Sequence, residues 1–256
     1  MTAAGRWLPP LALLAGLLLL WEVLVRTLNV ASYLLPPPSD VWAAFGRTAD
    51  VLPEHLWATA STAVVGLALG TMVGVAVAVA IASIPLVRRA VYPIVVASQS
   101  IPVVVLAPLF VVWFGFGLLP RVLVVALVVF FPIVVATVDG LLASDREQVD
   151  LVRSFGGGRA DVLRHVLVPG ALGPFFAGLK VAAAYAMFGA VVAEWMGASR
   201  GLGVYLERSR RSFLTDQMLV AVALVALVSL ALFGLVNLLA RLVMPWTSAT
   251  RPAGSR

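Results

Sequence analysis

Few residues of this chain could take part in chemistry. The only histidines among its 256 residues are His55 and His165, and there is no cysteine. The two histidines lack the paired spacing of a metal site on one helix, so we expect them to be solvated or helix-capping residues and expect no metal ion. No serine has a partnered histidine, and the acidic residues lie at the ends of apolar runs. The sequence therefore predicts a protein without catalytic residues, one that is not an enzyme.

A nucleotide site of the commonest kind is also missing. A phosphate-binding loop of the G-x-x-x-x-G-K-[ST] type needs a lysine followed by a hydroxyl residue. The single lysine of this chain, Lys180, is followed by Val181. We expect no cofactor in this chain, and any ATP that drives its function must be bound by a separate polypeptide.

Composition sets the class of protein. Hydrophobic residues make up 62% of the chain and charged residues 12%, which is far outside the range of a soluble domain. The net charge of +6 does not indicate nucleic-acid binding, because the arginines lie at the ends of apolar runs, where cations orient helices in a bilayer. We expect an all-α, polytopic membrane protein.

The apolar runs are long enough to cross a membrane as helices, which takes about 20 residues at 1.5 Å per residue. Six such spans place both termini on the same side, which we take as cytoplasmic. The arginines divide almost evenly between the two sides, so charge alone orients the chain only weakly. The predicted spans cover about residues 7–25, 56–84, 92–114, 118–142, 175–196 and 217–243.

Small residues recur every four positions in the second span, at Gly66, Gly70 and Gly74. Glycine costs about 1 kcal/mol in a helix, so a stripe of three makes sense where a neighbouring backbone comes close. The stripe predicts a helix-packing face. The alternative is the general abundance of glycine in membrane helices.

Two spans carry polar or bulky side chains that could line a translocation path. The third span contains Pro93, Pro102 and Pro108, and breaks of this kind survive at membrane depth where they are packed in protein or line a wet cavity. The alternatives are hydrogen bonding between helices and, for the carboxylate of the fifth span, plain solvation near the outer end. The predicted path residues are Ser98, Gln99, Ser100, Tyr185, Met187 and Glu194.

A charged, glycine-broken segment, residues 145–174, interrupts the apolar pattern before the fifth span. Its pattern predicts a helix over about 147–155, a glycine turn, and a short helix over about 160–167 that Pro169 stops. We expect the apolar stripe of the short helix to insert into a groove on a soluble partner, with charged residues at the rim. An ordinary interfacial helix is the alternative. The predicted docking residues are Asp150, Gly156, Gly157, Gly158, Arg159, Asp161, Val162, Arg164 and Pro169.

The spacing in this segment resembles the signature loop of ATP-binding-cassette importer permeases. That loop reads Glu-Ala-Ala, a glycine four residues after the second alanine, and an Ile-x-Leu-Pro ending; here the corresponding positions begin at Asp150 and include Gly156 and Pro169. The chain departs from the pattern with Asp150 for the glutamate and with Leu151 and Val152 for the alanines. Further stretches are similar to the nitrate, sulfonate and taurine group, namely LLPPPSDVWAAF, ASQSIPVVVLAPLFVVWFGFG and VVAEWMGASRGLG.

The resemblance implies one permease domain over residues 1–256, with residues 145–174 as its cytoplasmic ATPase-coupling loop. It implies a second permease copy, a cytoplasmic ATPase on each loop and an extracytoplasmic solute-binding protein, all at the bacterial cytoplasmic membrane. The implied cargo is a small polar or anionic organic solute, such as a sulfonate, taurine, nitrate or a pyrimidine thiamine precursor. The rival functions are an ATPase-independent channel or secondary transporter, which inverted repeats and intramembrane charges would favour, and a polytopic membrane enzyme.

Overall fold

A computed structural model describes residues 3–143 and 146–248 of the chain, and every regular element in these two ranges is helical. The all-α prediction is therefore confirmed. In chain order the α-helices are α1 (Ala3–Thr27), α2 (Pro38–Arg47), α3 (Leu52–Ser83), α4 (Pro85–Ser98), α5 (Val103–Phe114), α6 (Leu118–Leu142), α7 (Arg146–Ser154), α8 (Arg159–Val162), α9 (Val168–Glu194), α10 (Leu202–Arg211) and α11 (Thr215–Val243).

Five helical segments are long and apolar enough to cross a membrane, and a sixth span exists if the bent pair α4–α5 counts as one. The predicted limits of the fourth span, 118–142, are those of α6. The predicted first, second and sixth spans differ from α1, α3 and α11 by a few residues at their ends. The third and fifth spans differ more from their predictions.

The sequence predicted the third span as one helix kinked at its prolines, but the structure has two separate helices there. Helices α4 and α5 meet at 102°, and the chain between them runs from Gln99 to Pro102. Pro102 precedes the first residue of α5 with φ −64° and ψ 115°, an extended conformation that ends the helical path. Pro93 and Pro108 lie inside α4 and α5, so only Pro102 of the three prolines breaks the span.

The core of the subunit forms around α6, which packs against α3 and α9. Val125, Val129 and Ile133 of α6 are fully buried together with small residues of α9 such as Ala182 and Ala186. Burial of these side chains against helices on both sides makes α6 the central element of the bundle.

The predicted glycine stripe lies on the face of α3 that meets α6. A Cβ atom at Gly70 would come within 2.6 Å of the carbonyl oxygen of Ala126, and one at Gly74 within 3.0 Å of Ile133. At Gly66 it would meet Val125. The backbones of α3 and α6 can approach this closely only because these positions lack side chains.

The prediction that Pro169 stops the short helix before the fifth span is wrong. The chain continues from α8 through a π-helical turn, Leu163–Leu167, directly into α9, so residues 159–194 form one helical path of 36 residues. Pro169 occupies the first turn of α9, and the amide of Val168 bonds to the carbonyl of Leu163, five residues back. This wider turn accommodates a proline that has no N–H to donate.

Candidate functional site

The segment that follows α6 begins with α7, and a glycine cap ends this helix. Gly156 has φ +82°, its N–H donates to the carbonyl of Arg153 at 2.9 Å, and the N–H of Gly157 donates to that of Val152 at 3.0 Å. These two bonds are those of a Schellman motif, which needs a left-handed residue at the position of Gly156. We call residues 146–167 the coupling segment; Asp145, where the predicted loop began, lies outside the described residues.

Helix α8 is fixed by its own residues. The N–H of Gly158 donates to Oδ2 of Asp161 at 2.8 Å, and Nδ1 of His165 lies 2.9 Å from the carbonyl oxygen of Asp161. The carboxylate that was expected at the rim of a partner groove therefore caps the start of its own helix. Together with the Schellman motif, this makes the turn between α7 and α8 a defined structure.

The apolar stripe of the coupling segment faces the subunit itself. Val162 and Val166 are buried, at 6% and 7% exposure, and Leu163 and Leu167 are half-buried. The expectation that Val162 enters a groove on a partner is therefore wrong, because its side chain is already covered. The stripe instead holds the continuation of α9 against the bundle.

The exposed apolar residues of the coupling segment are on the other helix. Phe155 is 84% exposed and Leu151 is 57% exposed, although both side chains are apolar. Asp150 and Arg153 flank them as a loose, solvent-exposed ion pair at 3.9 Å, and Arg159 and Arg164 are exposed as well. An aromatic side chain within a charged rim is typical of a protein–protein contact.

The predicted path residues are not brought together within one subunit. Ser98 donates to the carbonyl of Val95 at 2.8 Å, whereas Gln99 and Ser100 are exposed at the break between α4 and α5. Tyr185 is 53% exposed, on a face of α9 that it shares with Val181 and Phe188.

Met187 and Glu194 do not line a surface, which corrects the prediction for both. Met187 is fully buried in the core between α6 and α9. Glu194, expected to be either in the path or solvated, is 1% exposed at the end of α9. Burying a carboxylate costs several kcal/mol unless it is paired, so its partners decide its role.

The partners of Glu194 come from α3 and from the start of α10. Its Oε1 accepts a hydrogen bond from the hydroxyl of Thr59 at 2.7 Å, and its Oε2 accepts one from the N–H of Gly203 at 2.7 Å. The Thr59 oxygen accepts a hydrogen bond from the N–H of Leu202 at 2.7 Å, and Nδ1 of His55 contacts the backbone of Gly201, at 3.0 Å from its nitrogen and 2.9 Å from its carbonyl oxygen. The sequence analysis missed this cluster; the available signal was the spacing of four residues between His55 and Thr59, which puts both on one helix face.

Charged side chains surround the other end of α10. Hydrogen bonds from Arg210 and Arg211 hold the pKa of Glu207 down at about 2, so this carboxylate stays ionised. Arg47 and Asp216 form a further ion pair at 2.6 Å. This end of the subunit is thus polar and lies opposite the coupling segment, since α9 separates the two.

Comparison with known proteins identifies the fold and its family. Residues 66–248 match the family described as the binding-protein-dependent transport system inner membrane component. The chain belongs to this family. It is a multi-pass importer permease of the ATP-binding-cassette type and not an enzyme. Permeases of this kind work with an ATPase and a solute-binding protein.

The permease is similar over nearly its whole length to curated relatives. It is 35% identical to the formylaminopyrimidine transport permease protein ThiX of Halalkalibacterium halodurans, covering 93% of this chain and 96% of ThiX. It is 36% identical to the riboflavin transport system permease protein RibX of Chloroflexus aurantiacus, covering 91% and 88%. With the taurine transport system permease protein TauC of Escherichia coli the identity is 28%, covering 91% and 87%.

Solved structures confirm the permease fold. The chain superposes on an amino acid ABC transporter with a TM-score of 0.62 at 18% identity, covering 77% of this chain and 97% of that one. For an inward-facing structure of the MetNI methionine ABC transporter the TM-score is 0.59 at 20% identity, with coverage of 72% and 93%.

Proposed function

We propose that this permease moves a small organic solute into the cell. A separate ATPase docks on the coupling segment and supplies the energy by binding and hydrolysing ATP. The observation that carries the proposal is the exposed pair Leu151 and Phe155, presented by a capped helix pair that continues without a break into α9. Apolar side chains this exposed on a rigid element favour a protein partner. ATP is then the cofactor of the partner and not of this chain.

Motion at the coupling segment would reach the bundle through α9. Val162 and Val166 are buried in the subunit, so a displacement of α8 must carry the start of α9 with it. Closure of two ATPases would in this way shift the packing of α9 against α6 and α3 between two states. Transport follows if the two states open the path to opposite sides of the membrane.

The path itself would lie between two copies of the permease. Tyr185 projects from a face of α9 that no other helix of the subunit covers, and Gln99 and Ser100 are exposed at the break in the bent span. In a homodimer these polar side chains can meet around one channel. The coupling segments and both termini are then cytoplasmic, and the connection between α9 and α10 faces the solute-binding protein outside.

We favour a small nitrogen heterocycle as the solute over a sulfonate. Identity is 35% and 36% with the permeases named for formylaminopyrimidine and riboflavin, against 28% with the one named for taurine. Thermal-shift measurements on the cognate binding protein with formylaminopyrimidine, riboflavin, taurine and nitrate test this choice. Stabilisation by taurine or nitrate alone would overturn it.

The partner proposal is tested with Phe155→Ser, which removes the exposed ring without disturbing the core. We expect the detergent-solubilised permease to lose most of the ATPase that copurifies with it, because an aromatic anchor at the centre of an interface contributes about 2 kcal/mol or more. The matched control is Phe213→Ser at the opposite end of the subunit, where the ring is 74% exposed. Equal ATPase capture by both variants would refute Phe155 as the anchor of the interface. Uptake by the permease without any ATPase would favour a channel or secondary transporter instead.

A further inference from the structure

Helix α10 begins without a cap of its own. The residue before its first turn is Gly201, which has no side chain, and the backbone there has φ +139°. The first N–H groups of any helix have no partner within the helix and need one from elsewhere when they are buried. Gly201, Leu202 and Gly203 are all buried, so their three N–H groups cannot be left to water.

Other helices supply the polar partners of these residues. Thr59 of α3 accepts the N–H of Leu202 at 2.7 Å, and Nδ1 of His55, also on α3, lies 3.0 Å from the nitrogen and 2.9 Å from the carbonyl oxygen of Gly201. Glu194, the last residue of α9, takes the N–H of Gly203 at 2.7 Å. Consecutive N–H groups of one helix are therefore divided between two other helices.

The carboxyl group of Glu194 also links α3 to α10. Its Oε1 accepts a hydrogen bond from the Thr59 hydroxyl at 2.7 Å, and its Oε2 lies at the N-terminus of α10, where the first N–H groups need acceptors. A Cβ atom on Gly201 would collide with the Glu194 carboxyl group, and one on Gly203 would lie 2.6 Å from the carbonyl oxygen of Val191. The glycines thus let α10 come close enough for the bonds to form.

Glu194 is not placed to bind the transported solute. Its side chain is 1% exposed, and each of its oxygens already accepts a short hydrogen bond from the protein. Its position does suit transmission of movement. The helical path from Arg159 in the coupling segment to Glu194 contains 36 residues, a length of about 54 Å at 1.5 Å per residue.

We propose that Glu194, Thr59 and His55 form an interhelical latch that makes α10 move together with α9 and α3 during transport. Glu194 is in this sense a positioning residue, because its hydrogen bond to Gly203 makes α10 follow the movement of α9. The proposal rests on the proposed function for its consequence in transport. Its structural part, the capping of α10 by α3 and α9, can be tested independently.

The decisive comparison is between Thr59→Val and Thr59→Ser. Valine keeps the shape but removes the hydroxyl that links Leu202 to Glu194, whereas serine keeps it. The permease is reconstituted in liposomes with its ATPase and binding protein, and the formylaminopyrimidine or taurine taken up is divided by the ATP hydrolysed. For Thr59→Val we expect this ratio to fall about tenfold or more, since a buried N–H loses its acceptor, with basal ATP hydrolysis retained.

Thr62→Val is the matched control on the same helix. Thr62 is fully buried like Thr59, but its hydroxyl donates only to the carbonyl of Ala58 in its own helix. We expect Thr62→Val and Thr59→Ser to keep the wild-type ratio of solute to ATP. A merely structural defect lowers the yield of complex and leaves the ratio unchanged. The latch is therefore refuted if Thr59→Val retains the ratio, or if Thr62→Val loses it equally.

Two further results keep the test decisive. If Thr59→Val does not assemble, His55→Leu takes its place, because it removes the imidazole that contacts the Gly201 backbone and keeps the hydrogen bonds of Thr59 and Glu194. If the wild-type complex shows no ATP-driven uptake, the proposed function fails, and amide hydrogen exchange at residues 201–203 then tests the latch alone. Faster exchange in Thr59→Val than in Thr59→Ser supports the latch, and equal exchange refutes it.

Discussion

The three consecutive glycines of the coupling segment have different structural roles. Gly156 holds a left-handed conformation at φ +82°, and a Cβ atom on Gly157 would lie 2.6 Å from the side chain of Val152. Gly158 has φ −82°, and the nearest atom to its Cβ position is an Asp161 oxygen at 3.7 Å. The sequence predicted a glycine turn without distinguishing its three members, whereas the structure makes Gly156 and Gly157 parts of a helix cap.

This difference predicts unequal effects of alanine. Gly156→Ala forces an L-residue into the left-handed region, which costs about 1–2 kcal/mol, and should shift or fray the end of α7. We expect clearly reduced ATP-dependent uptake, measured in vesicles at equal permease abundance. Gly158→Ala, the matched control, should remain within about 0.5 kcal/mol of wild-type stability and keep its uptake. A Gly158→Ala defect as large as that of Gly156→Ala would show that flexibility, and not the cap, is what matters.

Between elements, the close packing of α6 depends on glycine on both of its sides. The stripe at Gly66, Gly70 and Gly74 faces it from α3, and Gly178 of α9 faces it from the other side, 2.7 Å from the carbonyl of Pro132 when a Cβ is added. The glycine stripe on α3 could be recognised in the sequence, because its members recur every four residues in one span. The contact at Gly178 could not, because no glycine lies four positions before or after Gly178 and its partner Pro132 is distant in sequence.

We expect Gly70→Ala to destabilise the permease by about 1–3 kcal/mol, because the new methyl group would press on the Ala126 carbonyl and both backbones would have to separate. The measurement is the midpoint of thermal unfolding in detergent, followed by tryptophan fluorescence. Gly234→Ala in α11 is the control, since a Cβ there meets nothing within 4 Å. It should be neutral or slightly stabilising, since alanine is the better helix former. A lower midpoint for Gly234→Ala than for Gly70→Ala would contradict the packing argument.

Prolines mark the limit of what the sequence could predict about these elements. Long apolar runs were sufficient to locate the spans, because a bilayer demands a minimum length of helix. They were not sufficient to decide which proline ends a helix. Pro102 interrupts one, whereas Pro169 sits in the first turn of α9, where the missing N–H would be unpaired in any case. The bonds of Glu194 were equally hidden, since Thr59 is 135 residues away in the chain.

On the scale of the whole subunit, α9 connects the coupling segment to the opposite end of the bundle. It begins at the buried side of the coupling segment and ends in the polar cluster around Glu194. Beside its first turns a cavity of about 160 Å³ lies between α3, α6 and α9, lined by residues such as Val79, Thr137 and Phe175. Under the proposed function, this space gives the start of α9 room to shift, while the hydrogen bonds of Glu194 hold its other end to α10.

The remaining prediction concerns the surface on which two copies meet. The native chain has no cysteine, so a single introduced thiol reports on one position only. Tyr185 is exposed on the face of α9 that no helix of the subunit covers, and Leu230 is exposed on α11 at 67%. We expect Tyr185→Cys to give a disulfide-linked permease dimer under mild oxidation in membranes, because two copies of this face lie across one path. Leu230→Cys should stay monomeric on denaturing gels, since we place α11 at the lipid boundary. Cross-linking through Leu230→Cys in place of Tyr185→Cys would move the dimer interface to α11 and remove Tyr185 from the path.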